Sequence, residues 1–174
     1  IIALGARPLL FGVIGEDQSG DTLLGLLKKA GISVTGVVTE KARPTTVKHR
    51  FVVGESHQLL RVDEEVHNHL TVQSEAKLFE HVQRAMKTCD GVVLSDYAKG
   101  VFSPKLTQKI LSLAHSLHKL VVADVKSTDK EKFVGVDVIT PNIAEGEQAT
   151  GLRDVEEIGK RLIGMLEASV MLTR

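Results

Sequence analysis

Two hydrophobic periods take turns along this chain. Apolar runs of strand length fall at Leu9 to Ile14, Val92 to Leu94, Leu120 to Ala123, Val138 to Thr140 and Val170 to Leu172. Between them lie segments whose apolar residues recur every three or four positions, the spacing of one helix face. Ser19 to Ala30 carries Leu23, Leu24, Leu26 and Leu27, with Gly31 as its C-terminal stop. Thr71 to Thr88 carries Val72, Ala76, Phe79, Val82 and Met86. A helix from Pro104 to about Leu117 follows, with proline at a first helical position, where a missing N–H leaves no helical bond unmade. Helices from Ile143 and over Val155 to Leu166 complete the pass. Strands alternating with helices predict an α/β fold of parallel βαβ units, its sheet covered on both faces.

One segment breaks the alternation. Arg43 to Val53, "RPTTVKHRFVV", and His57 to Asp63, "HQLLRVD", are strand-like runs separated by "GES". This predicts a hairpin over about residues 43–63, with Gly54 supplying a positive φ at the turn. Thr45, Val47, His49, Phe51 and Val53 are expected on one face, with Thr46, Lys48 and Arg50 on the other. A two-stranded ribbon is marginal alone, so it is expected to cover a ligand, pair with another subunit, or both. At the ends, "IIALG" has the look of a last helical turn stopped by Gly5, and "VMLTR" that of a core strand. The chain is therefore expected to be a piece of a longer domain.

Bulk properties narrow the class without naming a chemistry. The 174 residues are enough for one domain with a sizeable core. Twenty-two basic residues balance twenty-two acidic ones, which gives no general pull toward nucleic acid or membrane. No apolar run approaches the ~20 residues of a membrane helix, and no signal peptide is expected. The single cysteine, Cys89, cannot form an internal disulfide and suits the cytoplasm.

Ligands in open α/β sheets bind at the C-terminal ends of strands. Three such ends are polar: Ser95-Asp96-Tyr97, Asp124-Val125-Lys126-Ser127 and Thr140-Pro141-Asn142. If their strands are neighbours, Asp96, Asp124, Lys126, Asn142 and Glu145 gather along one edge, a set suited to a polyhydroxy substrate, a phosphate and a divalent cation. Each residue also has a plainer reading. Asn142 and Glu145 have the spacing of a capping box. Asp96 and Asp124 suit turn acids, and Lys126, in the charged stretch "KSTDKEK", suits a solvated surface. Arg43, Lys48, Arg50 and Arg61 suit the wet face of a ribbon. "GVIGEDQSG" lacks phosphate-loop spacing and a following lysine, which excludes a Walker site. "HNH" at His67 to His69 and "HSLH" at His115 to His118 lack further ligands and are expected to be surface histidines.

In combination these segments resemble a known family. "LGARPLLFGVIGEDQSGDTLLGLLKKAGI", "RPTTVKHRFV", "HQLLRVDEE", "VVLSDYAKGVFSP", "ADVKSTD" and "TPNIAEGEQATG", in that order, resemble the ribokinase-like (PfkB) carbohydrate kinases. The likeness is greatest to the D-glycero-β-D-manno-heptose 7-phosphate kinases, often the first domain of a bifunctional kinase/adenylyltransferase making ADP-heptose for lipopolysaccharide. The resemblance implies a three-layer ribokinase-like sandwich with a small β lid. It implies ATP and Mg²⁺ as cofactors and phosphorylation of the anomeric hydroxyl; a homodimer through the lid is expected separately, because the ribbon's apolar face needs cover. Arg43, Arg61, Asp96, Tyr97, Lys99 and Gly100 would contact the sugar phosphate, with Gly100 allowing close backbone approach. Lys126, Asn142, Ile143, Ala144 and Glu145 would form the ATP side, Glu145 meeting the metal through water and Asp124 contributing weakly. Lysine would act there as a point charge, without bidentate geometry.

The same resemblance implies what lies outside these residues. The family's N-terminal sugar-binding acid and glycine-rich segment would precede Ile1, and its G-A-G-D motif, with the general-base aspartate, would follow Arg174. No catalytic base is expected within the chain. Val125 stands where many relatives carry proline, and Gly146 where an aromatic is usual. Another PfkB sugar-phosphate kinase, or a non-catalytic sugar or nucleotide sensor on the same fold, remains an alternative. Because phosphoryl transfer needs the base to orient the attacking hydroxyl, the 174 residues alone are expected to show no ATP-dependent phosphorylation of heptose 7-phosphate. Measurable ATP-dependent phosphorylation of heptose 7-phosphate by the isolated piece would contradict this.

Overall fold

The computed structural model describes residues 1–54, 57–126 and 130–173. The chain divides into two compact units, Ile1–His81 and Val82–Arg174.

In the first unit a short 3-10 turn, Ile2–Leu4, ends at Gly5 in the left-handed conformation (φ 82°), as the sequence suggests. Strand β1 (Leu9–Gly15), helix α1 (Gln18–Lys29) and strand β2 (Ser33–Glu40) follow, with β1 and β2 paired in parallel. Strand β2 was not expected from the apolar runs. Its sequence, SVTGVVTE, is broken by threonines and by Gly36, although the β-branched residues favour a strand. Gly36 is there for space: a Cβ would lie against the Leu10 carbonyl and 2.7 Å from Cε1 of Phe11.

The expected hairpin forms, with β3 (Val47–Val53) antiparallel to β4 (His57–Glu64) and Gly54 at φ 63°. Residues 55 and 56 of the "GES" turn lie outside the described residues. The first strand starts later than expected, because Arg43 and Thr45 are drawn inward by the preceding strand and helix. Thr45 is accordingly buried and belongs to neither ribbon face. Phe51 pairs with Leu60 but Val52 with Gln58, so Leu59 is an extra residue and the ribbon is bulged there. One face carries Val47, His49, Phe51, Leu60 and Val62; Lys48, Arg50, Arg61 and Asp63 share the other. Phe51, Leu60 and Val62 are exposed.

The unit boundary falls within helix α2 (Val72–Met86). The second unit holds a four-stranded parallel sheet in the order β5 (Gly91–Asp96), β6 (Leu120–Val125), β7 (Val138–Ile139) and β8 (Ser169–Val170). Helices α3 (Pro104–Ser116), α4 (Ile143–Thr150) and α5 (Val155–Leu166) complete it. Side chains of Leu106, Ile110, Val121, Ala123, Phe133, Ile139, Ile158 and Leu162 form its core. The sequence places most of these elements within about two residues. Two differences have physical causes. Strand β5 is packed on one face only: Leu94 and Asp96 are buried on it while Val93, on the other, is exposed, so the strand is not covered on both faces. The last strand is Ser169–Val170 rather than Val170 to Leu172; beyond it Thr173 bridges to Asn142. Gly146 accounts for the missing aromatic, since a Cβ there would lie 2.7 Å from Cγ2 of Ile158, where α4 meets α5.

The tightest backbone approach lies in the first unit. The Gly15 N–H donates to Oγ1 of Thr45 (2.8 Å), and the Thr45 N–H donates to Oδ2 of Asp17 (2.7 Å). Asp17 also caps α1, accepting from the Gly20 N–H through Oδ1 at 2.8 Å. A Cβ on Gly15 would overlap the Arg43 carbonyl and Asp17 Oδ2, whereas one on Gly12 meets nothing within 4 Å. Gly15→Ala is therefore expected to destabilise by about 2 kcal/mol, and Gly12→Ala to be neutral or slightly stabilising. Urea denaturation followed by circular dichroism measures both; equal stability of the two variants would contradict the account.

Candidate functional site

Parallel strands end on the same side of a sheet, so adjacency of β5, β6 and β7 brings their C-terminal ends together. Ser95 lies opposite Asp124, and Asp96 opposite Val125. The Lys126 N–H donates to the Asp96 carbonyl (2.8 Å) and the Thr140 N–H to the Ala123 carbonyl (3.0 Å). The expected gathering of strand ends occurs, but their side chains form two clusters. In-register partners point to one side, so the Asp96 side chain shares a side with Val125, and Asp124 shares the other with Ser95.

The first cluster centres on Lys126. Its ammonium lies 2.8 Å from Oε1 of Glu145 and 3.1 Å from Oδ1 of Asp124, with about a third of the side chain exposed. The capping box is present as well. The Glu145 N–H donates to Oδ1 of Asn142, and the Asn142 N–H donates to Oε2 of Glu145, both at 2.9 Å. Glu145 thus serves α4 with one oxygen and Lys126 with the other, and Ile143 and Ala144 form the intervening first turn. Burial works against the charged form of Glu145. The hydrogen bond from Lys126, the Asn142 N–H and the fields of Lys126 and Lys130 outweigh it, holding the carboxyl below its usual range. The Glu145 hydrogen bond in turn raises the Lys126 ammonium above its ordinary value. Lys130 is buried, its Nζ donating to the Val125 carbonyl at 3.3 Å, and burial pushes its ammonium pKa down. Ser127, the last residue of the second polar strand end, lies outside the described residues.

The second cluster shapes the turn after β5. Asp96 is 2% exposed; its Oδ1 accepts the Ala98 N–H at 2.9 Å, while Oδ2 lies 2.9 Å from Nζ of Lys132. Among the described residues that oxygen has no hydrogen bond of normal geometry, so the ammonium acts on it as a counter-charge. Ala98 (φ 57°) and Gly100 (φ 76°) are both left-handed, and the second angle accounts for a glycine at position 100. Tyr97 is exposed and Lys99 half-buried.

The two predicted arginines belong to the first unit. Arg43 is 8% exposed, donating from Nε to Oε1 of Glu40 (3.3 Å) and from Nη2 to the Asn68 carbonyl. Oε2 of Glu40 accepts from the Thr71 N–H and hydroxyl, both at 3.1 Å, so this pair ties the end of β2 to the start of α2. Arg61 is half-exposed, its Nε 2.9 Å from Oδ1 of Asp63, whose Oδ2 lies 2.9 Å from Nζ of Lys48. His67 and His115 are partly exposed beside Glu65 and Asp137, as surface histidines. Among the described residues no group of three or more His, Cys, Asp or Glu forms a metal cage, and no helix is long and apolar enough to cross a membrane.

Sequence reasoning missed three elements of this chemistry. Asp17 and Thr45 clamp one another although "GEDQSG" excluded only a Walker site. Lys130 and Lys132 sit in "DKEKF", which reads as a solvated charge run. The only signal was Phe133, fully buried in the 3-10 turn Glu131–Phe133, which pulls its neighbours inward.

Comparison with known proteins identifies the family and the fold. The model of the pfkB family carbohydrate kinases matches residues 1–174. The bifunctional protein HldE of Wolinella succinogenes is 40% identical over 157 residues, 90% of this chain and 33% of that protein. The protein of the same name from Helicobacter pylori is 39% identical over 153 residues, 88% of this chain and 33% of its own. The chain thus spans about a third of the length of the curated relatives it matches. Among solved structures, a PfkB protein from Polaromonas superposes with TM-score 0.74 at 16% identity, covering 98% of this chain and 62% of that one. An adenosine kinase from Sinorhizobium meliloti gives 0.69 at 14% identity, covering 98% and 54%. At such identities these two show the fold alone.

The first cluster predicts a pH dependence. Because the folded pKa of Glu145 is depressed, its contribution to stability is present above the ordinary carboxyl pKa and is lost as pH falls through the lowered folded value. Lys126→Met is expected to move the Glu145 titration upward and shrink this acid-side loss. Carboxyl-carbon NMR titration measures the midpoint, and an unchanged midpoint would contradict the pairing.

Proposed function

Since the chain belongs to the pfkB family of carbohydrate kinases, we propose that the intact protein transfers the ATP γ-phosphoryl group to the anomeric hydroxyl of heptose 7-phosphate. The observation that carries this reading is the meeting of Lys126, Asp124 and Glu145 with the Asn142-capped start of α4 at neighbouring strand ends. Lys126 supplies a point charge for the ATP phosphates, where negative charge shifts during transfer. Asn142 and Glu145 fix the first turn of α4, with Ile143 and Ala144 bordering the nucleotide. On the sugar side, Tyr97, Lys99 and Gly100 present the turn after β5, whose shape Asp96 holds. Arg61 is the ribbon's candidate for a phosphate contact, and Arg43 holds the start of that ribbon.

The donor set suits magnesium only indirectly. Both oxygens of Glu145 are engaged, one by Lys126 and one by the Asn142 N–H. Glu145 therefore fits an ion met through water, with Asp124 the other carboxylate of the group. Bound Mg²⁺ neutralises charge on the ATP phosphates. In the reaction the bond from the γ-phosphorus to the bridging oxygen of ADP breaks and a bond to the anomeric oxygen forms. The hydroxyl proton passes to the general-base aspartate expected after Arg174.

The same reading makes the protein cytoplasmic, fused to an adenylyltransferase domain, and dimeric through the ribbon, whose exposed Phe51, Leu60 and Val62 need cover. A monomer of the full-length protein in light scattering would overturn the dimer.

Full-length protein is expected to release ADP with heptose 7-phosphate in preference to fructose 6-phosphate. Lys126→Met is expected to raise the KM for ATP by about tenfold or more. Coupled ADP-release assays measure both; equal use of the two sugars would overturn the substrate, and no turnover of any sugar phosphate would overturn the kinase.

A further inference from the structure

Lys132 is the least expected charge in the second unit. Its side chain is 7% exposed and its partner Asp96 2%. A buried ion pair is weak grounds for stability, because desolvation cancels much of the attraction and apolar replacements often serve as well. What this pair does distinctively is geometric. The Lys132 ammonium lies 2.9 Å from Oδ2 of Asp96 and donates to the Phe102 carbonyl at 3.1 Å. Asp96 ends β5, and Phe102 immediately precedes Ser103, the N-cap of α3. One ammonium thus spans both ends of the segment that carries Tyr97, Lys99 and Gly100.

The brace has a firm footing. The Lys132 carbonyl accepts from Nε2 of Gln108 on α3 (3.1 Å). The adjacent Phe133 is fully buried, its ring edge-on to that of Phe102 with centroids 5.9 Å apart. The braced segment needs holding, since Ala98 and Gly100 both have positive φ and alanine pays a steric penalty there.

We propose that Lys132 is a positioning residue for the sugar-phosphate side of the site, fixing the 97–100 turn in the shape that binds the acceptor. This deepens the kinase reading above and rests on it. Lys132→Met in the full-length protein is expected to raise the KM for heptose 7-phosphate about tenfold while the KM for ATP stays within about twofold. Lys132→Arg, which keeps the charge, is expected to restore most of the loss. A second readout needs no substrate. Hydrogen exchange at the Ala98 amide, which donates to Asp96, is expected to quicken in Lys132→Met relative to the Leu94 amide. Should Lys132→Met not fold, the Asp96→Asn/Lys132→Gln pair, which leaves no unpaired buried charge, carries the same two expectations. Parallel changes in both KM values, or an unchanged heptose 7-phosphate KM with or without faster exchange, would overturn the proposal. If the wild-type protein turns over no sugar phosphate, the kinase reading has failed, and unchanged Ala98 exchange would then show independently that Lys132 does not hold the turn.

Discussion

Everything at the candidate site depends on the in-register parallel pairing of β5 with β6. Because parallel strands share a direction, one ladder brings the Asp96 and Lys126 backbones together, down to the 2.8 Å bond between them. The same ladder separates their side chains. A carboxylate at the strand's last position faces inward with Leu94, while on the neighbouring strand end Asp124 pairs with Lys126, which also reaches Glu145. A register shift of one residue would exchange these roles and bury the wrong charges.

From that constraint follows a division of labour. On one side of the strand ends the charges are partly exposed and mutually satisfied, with one lysine held between two carboxylates. On the other side they are buried and occupied with backbone shape. The first unit shows a related economy. Asp17 ends one loop, caps α1 and grips Thr45, so a single carboxylate fixes where the ribbon begins.

The alternation of elements was legible because strand and helix periods differ sharply, and helix α5 was placed to the residue. Strand β2 was obscured by Gly36, whose presence reflects the Phe11 ring rather than any strand signal. Asn142 and Glu145 were legible because a capping box has fixed spacing, and it forms here alongside the contact with Lys126. Lys130 and Lys132 were not. Burial of a lysine depends on which apolar neighbour anchors the turn, and "DKEKF" offers only Phe133 as a clue. Arg43 reads as a ribbon cation, yet its fate is set by Glu40 three residues earlier and by Asn68, far along the chain.

The bridge between Asn142 and Thr173 carries a mechanical consequence. Thr173 donates its N–H to the Pro141 carbonyl (2.9 Å) and accepts the Ile143 N–H through its own carbonyl (3.1 Å). The backbone on either side of Asn142 is therefore moored to the stretch that follows β8. Tension or slack in that stretch is transmitted straight to the cap of α4, so the chain's last described residues help set how rigidly Asn142 and Glu145 are held.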